Sequence, residues 1–114
     1  SVMPGSELKL LKGLELGCDG IITATCNVTA GLSRQVYDDF IEKKEQTKNE
    51  MLCDVRNTFE KFNLISGLHS FMSDENKIYA NVLPPVSILN EKDKLLLIKE
   101  LNKLNFKLGS LKAA

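Results

Sequence analysis

The sequence predicts an α/β fold, and three observations carry that expectation. The first is the stretch Gly17 to Val28, in which β-branched residues follow an Asp19-Gly20 turn; such side chains pack well on a pleated sheet. Ile21, Ile22 and Ala24 do not alternate with polar partners, which suits a strand covered on both faces, as in a parallel sheet. The second is what precedes it: a strand tail over Ser1 to Gly5 and a leucine-rich helix. Strand, helix and strand in that order form the last part of a βαβ unit, whose two strands are parallel. The third is a remainder that reads as helices. One buried strand cannot stand alone, so the chain reads as an incomplete piece of a larger sheet.

In chain order, Pro4-Gly5 stops regular structure. Leu8, Leu11 and Leu14, with Leu10 as a further candidate, then recur at helical spacing, with Ser6 placed as a cap, Glu7 in the first turn where the helix dipole favours a negative charge, and Gly17 as terminator. After the strand, 27–31 reads as a loop. Leu32, Val36, Tyr37, Phe40 and Ile41 mark one face of a helix to about Lys44. Thr47 and Glu50 have capping-box spacing ahead of a helix with Met51, Leu52, Val55, Phe59 and Phe62 on one face. A shorter helix covers Ile65 to Ser73. The segment Tyr79 to Leu89 is extended because Pro84-Pro85 removes two amide donors. Asn90 caps a final helix whose Leu95, Ile98, Leu101 and Leu104 form a stripe, and Gly109 to Ala114 is a fraying tail.

Composition narrows the function. At 114 residues and 43% apolar content, the chain holds one domain with a modest core. Its 15 basic and 15 acidic residues are interspersed, without the basic footprint of a nucleic-acid or anionic-membrane binder. No run is long enough to cross a bilayer, and no leader precedes the first residues. Cys18, Cys26 and Cys53 form no C-x-x-C pair, and with His69 the only histidine a metal site is not expected. Reduced thiols and a cytoplasmic location follow.

Candidate chemistry is sparse. Gly5 at the end of a strand lets a ligand approach the backbone, whereas Pro4-Gly5-Ser6 has too few glycines for a phosphate loop. His69 sits between Leu68 and Phe71, where a structural histidine is the commoner case, and Cys26 lacks a partner base. None of the lysines lies in the apolar surroundings that a neutral, imine-forming amine requires.

The residues Pro4-Gly5-Ser6-Glu7, the leucine-rich helix, Leu16-Gly17-Cys18-Asp19-Gly20 and the run Ile21-Ile22-Thr23-Ala24-Thr25-Cys26-Asn27-Val28 resemble the seventh strand, seventh helix and eighth strand of the dihydrodipicolinate synthase and N-acetylneuraminate lyase family. The helical remainder resembles that family's C-terminal extension. The resemblance implies a C-terminal fragment of a (β/α)8 TIM barrel, with residues 1–30 the end of the barrel and 31–114 the extension, packed as one compact unit. It implies a pyruvate-dependent class I aldolase acting through a lysine imine and a tyrosine, both upstream of the matched region, so the chain by itself is expected to be inactive. It further implies that Gly5 and Ile22 face pyruvate or another 2-oxo acid, and it calls for no cofactor. Glu7 is followed by Leu8, where sialic acid lyases carry two adjacent acidic residues, and Thr29-Ala30 stands where dihydrodipicolinate synthases usually place a proline soon after the asparagine-valine. A 2-keto-3-deoxy sugar acid aldolase therefore stays open. Exposed strand edges predict a homo-oligomer or pairing with the missing barrel half. The alternative is a non-enzymatic, mostly helical interaction module.

Overall fold

The computed structural model describes residues 1–107, and among them it contains helices and connections but no β-strand. The α/β expectation, including the parallel strands of a TIM-barrel fragment, is therefore corrected. The five α-helices are α1 (Leu10–Glu15), α2 (Cys26–Ile41), α3 (Asn49–Glu60), α4 (Leu64–Met72) and α5 (Glu91–Lys103), with 3-10 turns at Glu7–Lys9 and Lys77–Ala80.

The reason no strand forms lies in the pairing. The segment after Gly17 is extended and runs beside the first residues, with Asp19 N–H donating to the Val2 carbonyl at 3.3 Å and Ile22 N–H to the Pro4 carbonyl at 3.2 Å. One side advances three residues between these bonds while the other advances two, so they belong to no uniform ladder. At Thr23 the backbone turns into helix: Cys26 N–H bonds the Thr23 carbonyl, Asn27 N–H the Ala24 carbonyl, and Val28 and Thr29 N–H both bond the Thr25 carbonyl. Residues 26–31, expected as strand end and loop, are the opening turns of α2. The β-branched run is also not covered on both faces, since Ile22 is 72% exposed. β-propensity describes fit to a half-buried pleated surface, and without neighbouring strands there is no such surface to fit.

The chain forms two compact units, one of Ser1–Arg56 and one that begins at Asn57. In the first, α1 packs against α2, and the buried apolar side chains are Leu10, Leu14, Val28, Leu32, Val36, Leu52 and Val55. Val28, Leu32 and Val36 recur at i, i+4 and i+8, so the buried stripe of α2 begins a turn earlier than periodicity alone suggests, and Ile41 is left 55% exposed. Thr47 does not cap α3. Its N–H and hydroxyl donate instead to Oδ2 of buried Asp39, at 3.2 and 2.9 Å, while Gln35 Nε2 donates to Oδ1 at 2.8 Å. Those bonds, the Gln35 amide foremost, hold the Asp39 carboxyl below its ordinary range and fasten the α2–α3 connection.

In the second unit, α4 packs against α5 and against the Lys77–Ala80 turn. Asn63 caps α4 by accepting from Ser66 N–H, and Asn90 caps α5 by accepting from Asp93 N–H. Phe59, Leu68, Leu97, Leu101 and Phe106 are buried, with Phe71 edge-on to Phe59 at 5.7 Å and stacked on Phe106 at 5.8 Å. The buried positions of α5 are Leu97 and Leu101, while Leu95 is largely exposed, so the expected stripe is rotated.

Three helices end in the same way. After α1, α2 and α5, a residue with positive φ (Gly17 at 90°, Lys43 at 58°, Asn105 at 55°) is followed by one whose N–H reaches back five residues, Cys18 to Gly13, Lys44 to Asp39 and Phe106 to Leu101. These are Schellman closures, and they favour glycine at the positive-φ position because a side chain there crowds the backbone. Gly17→Ala is expected to lower stability by about 1 kcal/mol, and Lys43→Gly to raise it by ~0.5–1 kcal/mol, measured as shifts of the urea midpoint at unchanged slope.

Candidate functional site

The most heavily interconnected polar cluster of the first unit is built on Glu7. This residue lies in the 3-10 turn that Ser6 caps by accepting from Leu8 N–H at 3.3 Å. It is fully buried, an exceptional position for a carboxylate unless each of its oxygens is matched by donors. Both oxygens are matched. Oε1 accepts from the Thr29 hydroxyl at 2.9 Å and from the Thr25 hydroxyl, and Oε2 accepts from the Thr23 hydroxyl at 3.1 Å and from Arg56 Nη1 at 2.9 Å.

Each partner comes from a different place, and local folding explains its arrival. Thr23 ends the extended segment and Thr25 lies two residues on, in the turn that opens α2, and their hydroxyls lie 3.3 Å from each other. Thr29 stands one turn into α2, its hydroxyl also 3.0 Å from the Thr25 carbonyl. Arg56 is on α3, four residues after Leu52 and three before Phe59, so helical geometry puts it beside the buried stripe. Its Nη1 also lies 2.7 Å from Thr23 Oγ1 and 3.0 Å from Thr25 Oγ1. Hydroxyl hydrogens go to Glu7 and hydroxyl lone pairs accept from Arg56, so donors and acceptors alternate throughout.

Burial alone would push the Glu7 carboxyl up. The Thr25 hydroxyl, the residue's own backbone N–H, the Thr29 hydroxyl and Arg56 together outweigh burial and hold it below the usual carboxylate range. With four donors on two oxygens, Glu7 has no free lone pair for a substrate proton, so it is not a general base. The cluster is a closed ionic lock. Nearby Cys53 is pushed up by burial, with Asp54 and Glu7 adding to the shift, which leaves its thiol protonated and unreactive.

The sequence-derived candidates lie at the edge of this lock. Gly5 is exposed two residues before Glu7, and Ile22 is exposed immediately before Thr23. The structure brings the two together: a Cβ on Gly5 would stand 3.8 Å from the Ile22 carbonyl oxygen, beside the Ile22–Pro4 backbone bond. That spacing is ordinary van der Waals contact, and Gly5 does not have the positive φ seen at Gly17. Neither backbone angle nor crowding requires glycine at position 5. His69 is not part of this site. It belongs to the second unit, its Nδ1 is 2.8 Å from the Tyr79 carbonyl oxygen, and it borders a hollow with Ile65, Val82, Leu83 and Val86. Cys26 Sγ lies 3.6 Å from Ser33 Oγ. Among the described residues, no group of His, Cys, Asp and Glu could hold a metal ion, and no helix is long and apolar enough to cross a membrane.

Sequence reasoning missed the lock. It placed Glu7 in a helix's first turn, where the dipole favours a negative charge, and gave Thr23, Thr25, Thr29 and Arg56 no role in a site. One signal was available: an arginine on the buried side of an amphipathic helix demands acidic company, and of the positions three and four residues away, Leu52, Cys53, Phe59 and Glu60, only the last is acidic, which leaves room for a carboxylate from elsewhere in the chain.

The sequence matches no protein-family profile, and no curated protein matches it. Its fold is similar to part of a solved dihydrodipicolinate synthase from Agrobacterium tumefaciens str. C58, with a TM-score of 0.62 and 17% identity. The similarity covers 90% of this chain and 34% of that one, so this chain spans about a third of that protein's length.

Removing one partner of a buried ion pair strands the other. Arg56→Met is therefore expected to lower stability by about 3–5 kcal/mol in denaturant unfolding, and the Glu7→Gln, Arg56→Met double variant by less than the sum of the two single changes. Because the folded Glu7 carboxyl binds its proton less tightly than the unfolded one, the stabilisation is fully present above the unfolded value of about 4.5 and is lost as pH falls through the lower folded value. Stability measured from pH 6 downward is expected to fall with this slope, and to fall less in Glu7→Gln.

Proposed function

We propose that this chain is the C-terminal portion of a dihydrodipicolinate synthase-like, pyruvate-dependent lyase, inactive by itself, in which Gly5 and Ile22 face pyruvate or another 2-oxo acid. The observation that carries the reading is the juxtaposition of Gly5 with Ile22 in a backbone similar to part of a dihydrodipicolinate synthase. An exposed position that needs glycine neither for its backbone angle nor for lack of room fits a place where a ligand approaches the main chain. A small planar acid meeting Ile22 on one side and the Gly5 backbone on the other would be held by shape and apolar contact. Its charge would be met elsewhere, because Arg56 is already engaged by Glu7.

The chemistry is that of an amine adding to the keto group, with loss of water to give an imine that acts as electron sink for carbon–carbon bond formation or cleavage. The nucleophile would belong to the rest of the longer protein. Residues 1–30 carry the substrate-facing elements in this reading and 31–114 support them, in a cytoplasmic protein that associates with further copies or with the remaining portion of its fold.

Borohydride trapping with pyruvate tests the reading. The isolated chain is expected to keep its mass, and an adduct on any of its lysines sinks the proposal. A full-length gene product is expected to gain a reduced adduct on a lysine outside this chain. Gly5→Ala is expected to change folding stability by no more than about 0.5 kcal/mol while impairing that adduct in the full-length product. In sedimentation at micromolar concentration, the isolated chain is expected to associate, and a monodisperse monomer contradicts this.

The exposed apolar residues of the second unit favour one other reading, a non-enzymatic interaction module. Ile78 is 64% and Leu83 84% exposed, on either side of the Asn81–Val82 link. Full-length product that never traps pyruvate would support this reading over the first.

A further inference from the structure

We propose that Arg56 is the positioning residue of the Gly5–Ile22 face, setting the separation of its two backbone segments from a helix far along the chain. Gly5 is two residues from Glu7, and Ile22 adjoins Thr23. A single nitrogen, Arg56 Nη1, lies within 3.0 Å of Glu7 Oε2, Thr23 Oγ1 and Thr25 Oγ1. It thus holds both segments at once. The backbone does little of this work: the two segments share the Asp19–Val2 and Ile22–Pro4 bonds, at 3.3 and 3.2 Å, the long end of the hydrogen-bond range. Where a sheet would define their spacing through a ladder, here a buried guanidinium and carboxylate define it through side chains.

The planar guanidinium suits this task. Its nitrogen offers two hydrogens in a fixed plane, shared among three oxygens from two segments, whereas a lysine ammonium would sit as a point charge without that directional fork. Burial fixes the arrangement further, since Glu7 is fully buried and the Arg56 side chain is 10% exposed. The face carrying Gly5 and Ile22 is therefore set from α3, although its own residues come from the first quarter of the chain.

The relevance of this device to pyruvate rests on the lyase reading; the device itself does not. Amide hydrogen exchange on the isolated chain, without pyruvate, tests it. In Arg56→Lys, which keeps the charge, the Asp19 and Ile22 amides are expected to exchange about tenfold faster, while the Leu32 and Val36 amides in α2 keep their rates. A parallel change at all four amides would mean that Arg56 only supports the unit as a whole, and no change at Asp19 and Ile22 would mean that it does not position them. Either result overturns the proposal. Should the lysine variant fail to fold, Thr23→Val decides, because it deletes the hydroxyl beside Ile22 and leaves the Arg56–Glu7 pair; it must loosen Asp19 and Ile22 selectively or the proposal falls. Failure of pyruvate trapping in the full-length product sinks the lyase reading and leaves these exchange results unaffected.

Discussion

The buried contact between Glu7 and Arg56 is the interaction on which the first half of this protein depends. Residues 49 apart in sequence meet at 2.9 Å, and three threonine hydroxyls complete the carboxylate's coordination. A buried ion pair by itself is weak support for stability, because the desolvation of two charges offsets most of their attraction. Full hydrogen bonding shifts that balance. Each oxygen of Glu7 meets two donors, so burial leaves no lone pair stranded, and the carboxyl stays ionised despite its burial.

That arrangement accounts for several otherwise separate features. It explains why threonines stand at both 23 and 25 where the chain turns into α2, and why the hydroxyl of Thr29 faces inward one turn into that helix. It lets the chain hold residues 2–4 beside residues 19–22 with little backbone pairing. Helix α1 spans the two segments as a short connector, closed by Gly17 in a Schellman motif that returns the chain toward its start through the Cys18–Gly13 bond. Specificity in this region thus comes from polar side chains, and the apolar residues of α1, α2 and α3 supply burial around them.

Much of the helical content was legible in the residues. Asn90 sits just before an apolar periodic run and does cap α5, and Gly17 does end the first helix, since capping and termination are local chemistry between near neighbours. The face turned inward was less legible. Leu95 is largely exposed and Leu97 buried, although both fall on apolar stretches of α5, because a helix with leucines on several sides leaves its rotation to whatever packs against it. Gly5 and Ile22, singled out from the family resemblance, adjoin each other through the main chain, and the lock beneath them went unread, its members lying at positions 7, 23, 25, 29 and 56 with no local pattern to join them.

The sequence by itself determined where the chain turns, where four of its helices lie to within a few residues, and that its charge is balanced. Tertiary structure decided the state of Ile21 to Thr25, whose β-branched residues satisfy strand propensity yet form no strand among the described residues. A strand is made by its neighbours, and here the neighbours of this segment are a buried carboxylate and an arginine. It decided as well that Glu7 is interior, because helix-terminus chemistry accepts an acidic residue whether solvent or a guanidinium faces it. Local preference could not tell those two environments apart; only the arrival of α3 with Arg56 does.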